Sequence, residues 1–262
     1  MISREALKRL RKLRQKKYRE QEGRFLVEGT NLVVEALRSE CEAETLFLTE
    51  SFLKNQAFRE ISRLAEKRDV PIQRLSAKDF EMLSETRAPQ GVALLLKMPV
   101  RDFFSEELDN WNCAVVLDGV QDPGNVGTII RTADWYGCSA VLLGEGCAEL
   151  TNSKVLRATA GSAFHLPIFE NVPLGPALAR LKRAGFKLFA AEKQGALPHV
   201  QVKFTGRAAL VVGNERRGIS PKAKSAEPTT VWIPGRGRAE SLNAAVAAGV
   251  LLDRLIFPGE PV

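Results

Sequence analysis

Cys113-Ala-Val-Val-Leu-Asp-Gly-Val-Gln-Asp-Pro-Gly-Asn-Val-Gly-Thr-Ile-Ile-Arg131 opens the second half of the chain. Residues 113–117 form a continuous apolar run of strand length that stops at Asp118 and Gly119. Such runs belong to parallel strands covered on both faces. Val126, Ile129, Ile130 and Ala133 then recur at i, i+3, i+4 and i+7, the core face of a helix beginning after Gly124. Strands expected at 140–143, 186–190, 208–212 and 229–233, with helices near 152–160, 175–184 and 241–255, repeat the unit. The fold class they imply is α/β, a parallel sheet with helices on both faces.

Working back toward the N-terminus, Arg24-Phe-Leu-Val-Glu-Gly29 reads as a strand ending at a glycine, with Thr30 placed to cap the apolar-periodic helix Leu32, Val33, Ala36, Leu37. Strands at 45–48, 70–75 and 91–96 alternate with helices at 55–68 and 78–83, enough for a small α/β layer of its own. The domain reading is a basic arm at 1–20, a small α/β domain at 21–98, a linker at 99–111 and a second domain at 112–262.

The net charge of +7 becomes informative once it is located. Residues 1–20 hold nine Lys/Arg against Glu5 and Glu20, which leaves 29 basic and 29 acidic residues in the rest of the chain. A block of this kind is a phosphate-binding arm, a solvated tail or a targeting peptide. Its acids and single Ser3 disfavour the last. Cys41, Cys113, Cys138 and Cys147 form no C-x-x-C pair, and His165 and His199 are the only histidines, so no metal site is expected. Unpaired thiols and the lack of a long apolar run point to a cytoplasmic protein without a membrane span.

Three segments carry the candidate chemistry: Asn125-Val-Gly-Thr-Ile-Ile-Arg131, Gly213-Asn-Glu215 and Ser241-Leu-Asn243. Each sits where a strand runs into a loop or helix start, so three chain returns can build one site at the carboxyl ends of a sheet. Asn125 is placed to cap a helix or hold a ligand, with Arg131 about two turns further on. Taken alone, the segments also read as an ordinary capped helix with a surface Arg, a turn carboxylate at Glu215 and an N-cap at Ser241. Gly213 ends an apolar strand and admits close approach to the backbone. The glycines Gly119, Gly124 and Gly127 do not give the G-x-G-x-x-G spacing, which disfavours a nicotinamide cofactor. After Ile233-Pro234 comes Gly235-Arg-Gly-Arg238, and the helix behind Ser241 carries no charge before Asp253. A helix apolar all round must be buried in a core or against another subunit.

In this order, the three segments resemble the SpoU (TrmH-type) branch of the SPOUT superfamily over about residues 113–256. Asp118, Gln121, Asp122, Pro123 and Gly124 match the loop before its Asn, and Arg157, Ala158 and Gly161 look like its next helix. The resemblance implies transfer of a methyl group from S-adenosyl-L-methionine to a ribose 2′-hydroxyl of RNA. It implies a deep trefoil knot in the C-terminal half, a cofactor pocket lined by Gly213, Ile233 and Leu242, and a homodimer formed through the last helix. The first domain resembles the family's accessory substrate-binding domain, with Phe25-Leu-Val-Glu-Gly29 as the matching stretch. Many members carry a large apolar residue after the Ile-Pro pair, where this chain has Gly235 followed by arginines.

The implied site residues are Arg131, Asn125, Ser241, Glu215 and Asn243. A guanidinium normally has no lone pair to take a proton, so Arg131 is assigned to orienting the hydroxyl and stabilising the developing alkoxide, with base action left open only where the site perturbs it strongly. Asn125 and Ser241 are expected to orient Arg131 and the ribose, while Glu215 and Asn243 hold the loops together. The two-domain layout resembles ribosomal RNA enzymes. The rival readings are a non-catalytic RNA-binding or ribosome-assembly protein, methylation of a transfer RNA ribose, and methylation of a base.

Overall fold

A computed structural model describes residues 2–202 and 206–257, which divide into two compact units. Unit 1 comprises Met1–Val100 with Thr151–His165, and unit 2 comprises Arg101–Leu150 with Leu166–Val262.

Unit 1 begins with α1 (Arg4–Lys12) and α2 (Lys16–Glu22). The basic stretch read as an arm is therefore folded. Leu7 and Leu13 are buried against Phe47, Leu75, Phe80 and Leu83, with Ile2 and Leu10 packed beside them, and this apolar face gives the stretch a reason to dock. Three of its cations serve the fold. Arg19, only 4% exposed, donates to the carbonyls of Leu13 and Arg14 and to the Thr151 hydroxyl. Arg14 donates to the carbonyls of Leu83 and Ser84, and Arg9 pairs with Glu22 at 2.7 Å. Arg4, Lys8, Arg11 and Lys17 stay exposed, without hydrogen bond or ion pair among the described residues.

Next come β1 (Arg24–Glu28), α3 (Thr30–Arg38), β2 (Ala43–Thr49), α4 (Phe58–Lys67), β3 (Ile72–Leu75), α5 (Ala77–Leu83) and β4 (Val92–Lys97). The sheet order is β1-β4-β2-β3, with β4 antiparallel to β1 and β2, and β3 parallel to β2. Helices α3 and α4 cover one face through Leu32, Val33, Ile61 and Ala65, and α1 and α5 cover the other. Thr30 is the first residue of α3 and not its cap. Gly29, at φ 99°, holds the cap position, and Gln90 Oε1 accepts from both Thr30 N and Thr30 Oγ1 at 2.8 and 3.0 Å.

Unit 2 holds β5 (Cys113–Asp118), α6 (Pro123–Trp135) and β6 (Ala140–Gly144). The chain then gives α7 (Ser153–Thr159) to unit 1, where Leu156 joins the core of Val27, Val33 and Leu37. This segment, read with the second domain from the sequence, is short and binds its apolar side to the first. Unit 2 resumes with β7 (Ile168–Val172), α8 (Leu174–Arg183), β8 (Lys187–Ala191), β9 (Leu197–Pro198), β10 (Ala208–Gly213), α9 (Pro221–Lys224), β11 (Thr229–Trp232) and α10 (Ala244–Ile256). Its seven strands lie in the order β7-β6-β5-β10-β8-β11-β9, and every pairing is parallel. Ala114, Val116, Leu142, Ala190 and Val211 face α8 and α9. Phe189, Leu210 and Val231 meet Leu251 and Leu255 of α10 on the opposite face. Near-continuous apolar strands follow from this double cover.

The order fixes where a ligand goes. From β5 the chain steps outward through β6 to β7, and it later returns to build the other half of the sheet with β10 directly beside β5. Asp118 and Gly213 are register partners at the carboxyl ends of these two strands. A strand-order reversal of this kind opens a crevice at those ends.

Candidate active site

Asp118 and Gly119 leave β5, and the chain turns into α6 through Asp122, whose carboxylate accepts from Asn125 N at 2.8 Å. With that end of the helix capped by Asp122, the Asn125 side chain is free for other work. Its Nδ2 donates to Glu215 Oε1 at 2.7 Å, and its Oδ1 accepts from Asn243 Nδ2 at 2.8 Å. One carboxamide therefore ties all three segments together.

The second segment is a tight turn. Asn214 and Gly218 exchange backbone hydrogen bonds at 3.0 and 2.8 Å. Asn214 Oδ1 accepts from Arg216 N and Arg217 N, while its Nδ2 donates to the Gly119 carbonyl at 2.8 Å. A Cβ on Gly213 would lie 2.4 Å from the Gly218 carbonyl carbon, so a side chain there displaces main chain. Buried Asp118 accepts from Ser220 N at 2.6 Å and fixes the far side of the turn. A hydrogen bond to a charged group contributes about 1.5–3 kcal/mol.

In the third segment the helix begins later than the sequence suggests. Asn243, not Ser241, is the N-cap of α10, its Oδ1 accepting from Ala245 N and Val246 N at 2.8 and 3.3 Å. The longer Asn side chain satisfies two amides of the first turn while its Nδ2 reaches Asn125. Ser241 lies in the exposed loop before it, with no hydrogen bond among the described residues. Leu242 is 49% exposed and Ile233 is half-buried.

Arg131 is on α6, six residues beyond Asn125, or about 9 Å along the helix axis. It is exposed and makes no hydrogen bond or ion pair among the described residues. The expected hold of Asn125 on Arg131 is thus not a direct bond, and the partners of Asn125 are Glu215 and Asn243. The parts missed from the sequence are Asn214 and Asp118. Asn214 stands inside the second segment and Asp118 in the loop matched before Asn125, yet their work is to bond main chain distant in sequence, for which residue type alone gives no signal.

Helices α6 and α10 pack together. Asn125 meets Asn243 at their N-terminal ends, and the Tyr136 hydroxyl donates to Asp253 at 3.1 Å near their C-terminal ends. Cys147 sits behind the β5 turn, donating to the Leu117 carbonyl at 3.3 Å, and burial pushes its thiol up to about 11. Among the described residues no group of three or more His, Cys, Asp or Glu is placed to hold a metal, and no helix is long and apolar enough to cross a membrane.

The sequence and the fold are matched by known proteins. Residues 112–253 match the SpoU rRNA Methylase family, and residues 4–94 match an MRM3-like substrate binding domain. The chain is 36% identical to the Bacillus subtilis 23S rRNA (guanosine(2553)-2′-O)-methyltransferase RlmP, over 94% of this chain and 93% of that protein. The SpoU methyltransferase AviRb from Streptomyces viridochromogenes, solved in complex with AdoMet, superposes with a TM-score of 0.85 at 26% identity and covers 97% of both chains. An AdoMet-bound rRNA methyltransferase from Sinorhizobium meliloti gives a TM-score of 0.83 at 29% identity, over 97% of this chain and 94% of that one.

Proposed function

The chain belongs to the SpoU rRNA methylase family, and from that we propose that it methylates a ribose 2′-hydroxyl of ribosomal RNA, with Arg131 acting at the hydroxyl. The enzyme is an S-adenosylmethionine-dependent RNA ribose 2′-O-methyltransferase, and the seven-stranded parallel sheet of unit 2 is consistent with the trefoil-knotted fold that the resemblance implies. The observation that carries the site assignment is the Asn125 carboxamide bonded to both Glu215 and Asn243. It supports one site built from all three segments.

The cofactor brings a methyl group already activated on a sulfonium. Residues fitting it are Gly213, whose lack of a side chain lets the Gly218 turn close, with Ile233 and Leu242 offering apolar surface at the same strand ends. Asn214 and Asp118 hold the turn from Gly213 to Ser220 in place. The protein's remaining task is to align the ribose hydroxyl and stabilise charge as its proton leaves. Arg131, exposed and unpaired among the described residues, has the charge and the freedom for this. Glu215 and Asn243 keep Asn125 and the start of α6 in place, and Ser241 stands in the loop where the ribose arrives.

RNA binding by unit 1 is supported by α1. Arg4, Lys8, Arg11 and Lys12 share one exposed side of the helix, away from the inward-packed Leu7 and Leu10, so successive turns each present a cation. In this reading residues 21–98 grip the RNA with α1 as an added phosphate-binding element, and residues 112–262 hold the chemistry. A homodimer fits the same picture. Trp135 is 84% exposed and Val246 is 52% exposed on the paired helices α6 and α10, apolar surface that a second copy would cover. The reading assigns the protein to the cytoplasm.

The test is Arg131→Ala. S-adenosylmethionine affinity by calorimetry should be unchanged, while methyl transfer to unmodified ribosomal RNA falls by about 10²-fold, as for removal of an interaction made in the transition state. Full activity in the variant would overturn the assignment.

A further inference from the structure

Outside residues 1–20 the chain is electrically balanced, yet the fold gathers a second cluster of cations. Arg216 and Arg217 follow Glu215 at the tip of the Asn214–Gly218 turn, and Arg236 and Arg238 lie in the loop that ends at Asn243. All four are exposed and have no side-chain hydrogen bond or ion pair among the described residues. None of the carboxylates around the two loops forms an ion pair with these four arginines among the described residues: Asp122 caps α6, Glu215 bonds Asn125, Glu192 beside Gly218 pairs with Lys224, and Glu240 stays exposed.

Two features say how these cations are presented. The backbone amides of Arg216 and Arg217 are already taken by Asn214 Oδ1, so this turn meets an anion with guanidinium groups and not with its main chain. Around Gly235 and Gly237 a Cβ would meet nothing within 4 Å, so Arg236 and Arg238 stand on backbone open to solvent. The two loops also approach Asn125 from diverging directions, since one bonds its amide nitrogen and the other its amide oxygen.

We propose that Arg216 with Arg217 and Arg236 with Arg238 are the two jaws of a phosphate clamp, which holds the RNA backbone on either side of the ribose that Arg131 engages. The proposal rests on the RNA methyltransferase reading. A ribose presented to the site has a phosphodiester on each side, and a guanidinium pair matches phosphate oxygens in charge and in forked geometry. The clamp requires no bonding to bases. It positions any sequence alike and leaves selection of the RNA to other surfaces.

The experiment uses the full chain carrying Arg216→Gln with Arg217→Gln, or Arg236→Gln with Arg238→Gln. A fluorescent single-stranded oligoribonucleotide is titrated at several salt concentrations, calorimetry measures S-adenosylmethionine binding, and KM and kcat are measured on unmodified ribosomal RNA. Each double variant should weaken oligonucleotide binding at least tenfold and lower the salt slope by about 1.4, from two single-strand phosphates at about 0.7 each. The KM for RNA should rise with cofactor affinity unchanged. Double Lys variants should restore the slope and thereby exclude misfolding. Unchanged oligonucleotide affinity in either Gln variant, or loss of cofactor binding with RNA binding kept, overturns the clamp. If the unaltered protein binds the oligonucleotide through these arginines but transfers no methyl group to ribosomal RNA, the functional reading fails while the clamp stands.

Discussion

Asn243 donates its Nδ2 to Asn125 Oδ1 at 2.8 Å across 118 positions of sequence, while its own Oδ1 caps α10. A single side chain thus starts the last helix and fastens it to the first motif. The two duties use different atoms and are separable. Asn243→Asp keeps the acceptor and loses the donor, so the protein should melt close to the parent while methyl transfer falls at least tenfold. Asn243→Ala loses both, with an additional stability cost of about 1 kcal/mol for the missing cap. Thermal unfolding beside methyl-transfer rates checks the pair, and equal activity in the parent and the Asp variant would show that the bridge is idle.

Gly213→Ala should cost about 1–3 kcal/mol, the range for forcing atoms into a packed site, because the new Cβ collides with the Gly218 carbonyl carbon. The turn must open, and S-adenosylmethionine binding should go with it. Urea midpoints and calorimetry measure the two losses.

The nine cations of residues 1–20 should divide into two classes. Changing Arg4, Lys8 and Arg11 to Gln should leave the melting temperature alone and lower the salt slope of RNA binding by about 0.7–0.9 for each phosphate left without its cation. Arg19→Gln should instead destabilise the fold, since two carbonyls and the Thr151 hydroxyl lose their buried donor. A slope unchanged in the triple variant would assign α1 a purely structural role.

Trp135→Glu and Val246→Asp place carboxylates on the exposed side of the α6–α10 pair. Either should convert a dimer to monomer at micromolar concentration in sedimentation, because an unpaired charge in a desolvated interface is costly. Sedimentation of the unaltered chain as a monomer would count against the interface.

The Cys147 thiol, raised by burial to about 11, should stay protonated and resist alkylation at pH 8, reacting only as the pH approaches that value. The sign for stability follows from linkage. A group whose folded value lies above its unfolded one contributes fully below about 9 and loses that contribution as the pH rises toward 11. Peptide mapping after iodoacetamide, with half-buried Cys41 as the internal comparison, tests the first point, and urea melts between pH 8 and 11 test the second.

Most elements of the chain were legible because they rest on local pattern. The apolar runs 113–117 and 208–212 became β5 and β10, and the i, i+3, i+4 spacing of Val126, Ile129 and Ile130 became the buried side of α6. The three motif segments were also visible, each marked by residues suited to a strand end. Their joining was not. Apolar runs of equal length are interchangeable as pairing partners, and only the packed sheet places β10 between β5 and β8, bringing Gly213 beside Asp118. Whether Ser241 or Asn243 caps α10 depends on which backbone amides the fold leaves free. The basic N-terminus shows the same division. Composition located its charge, but the face of Leu7 and Leu13 and the buried guanidinium of Arg19 became structural only because a sheet and Thr151 came to meet them, and such long-range packing has no local code.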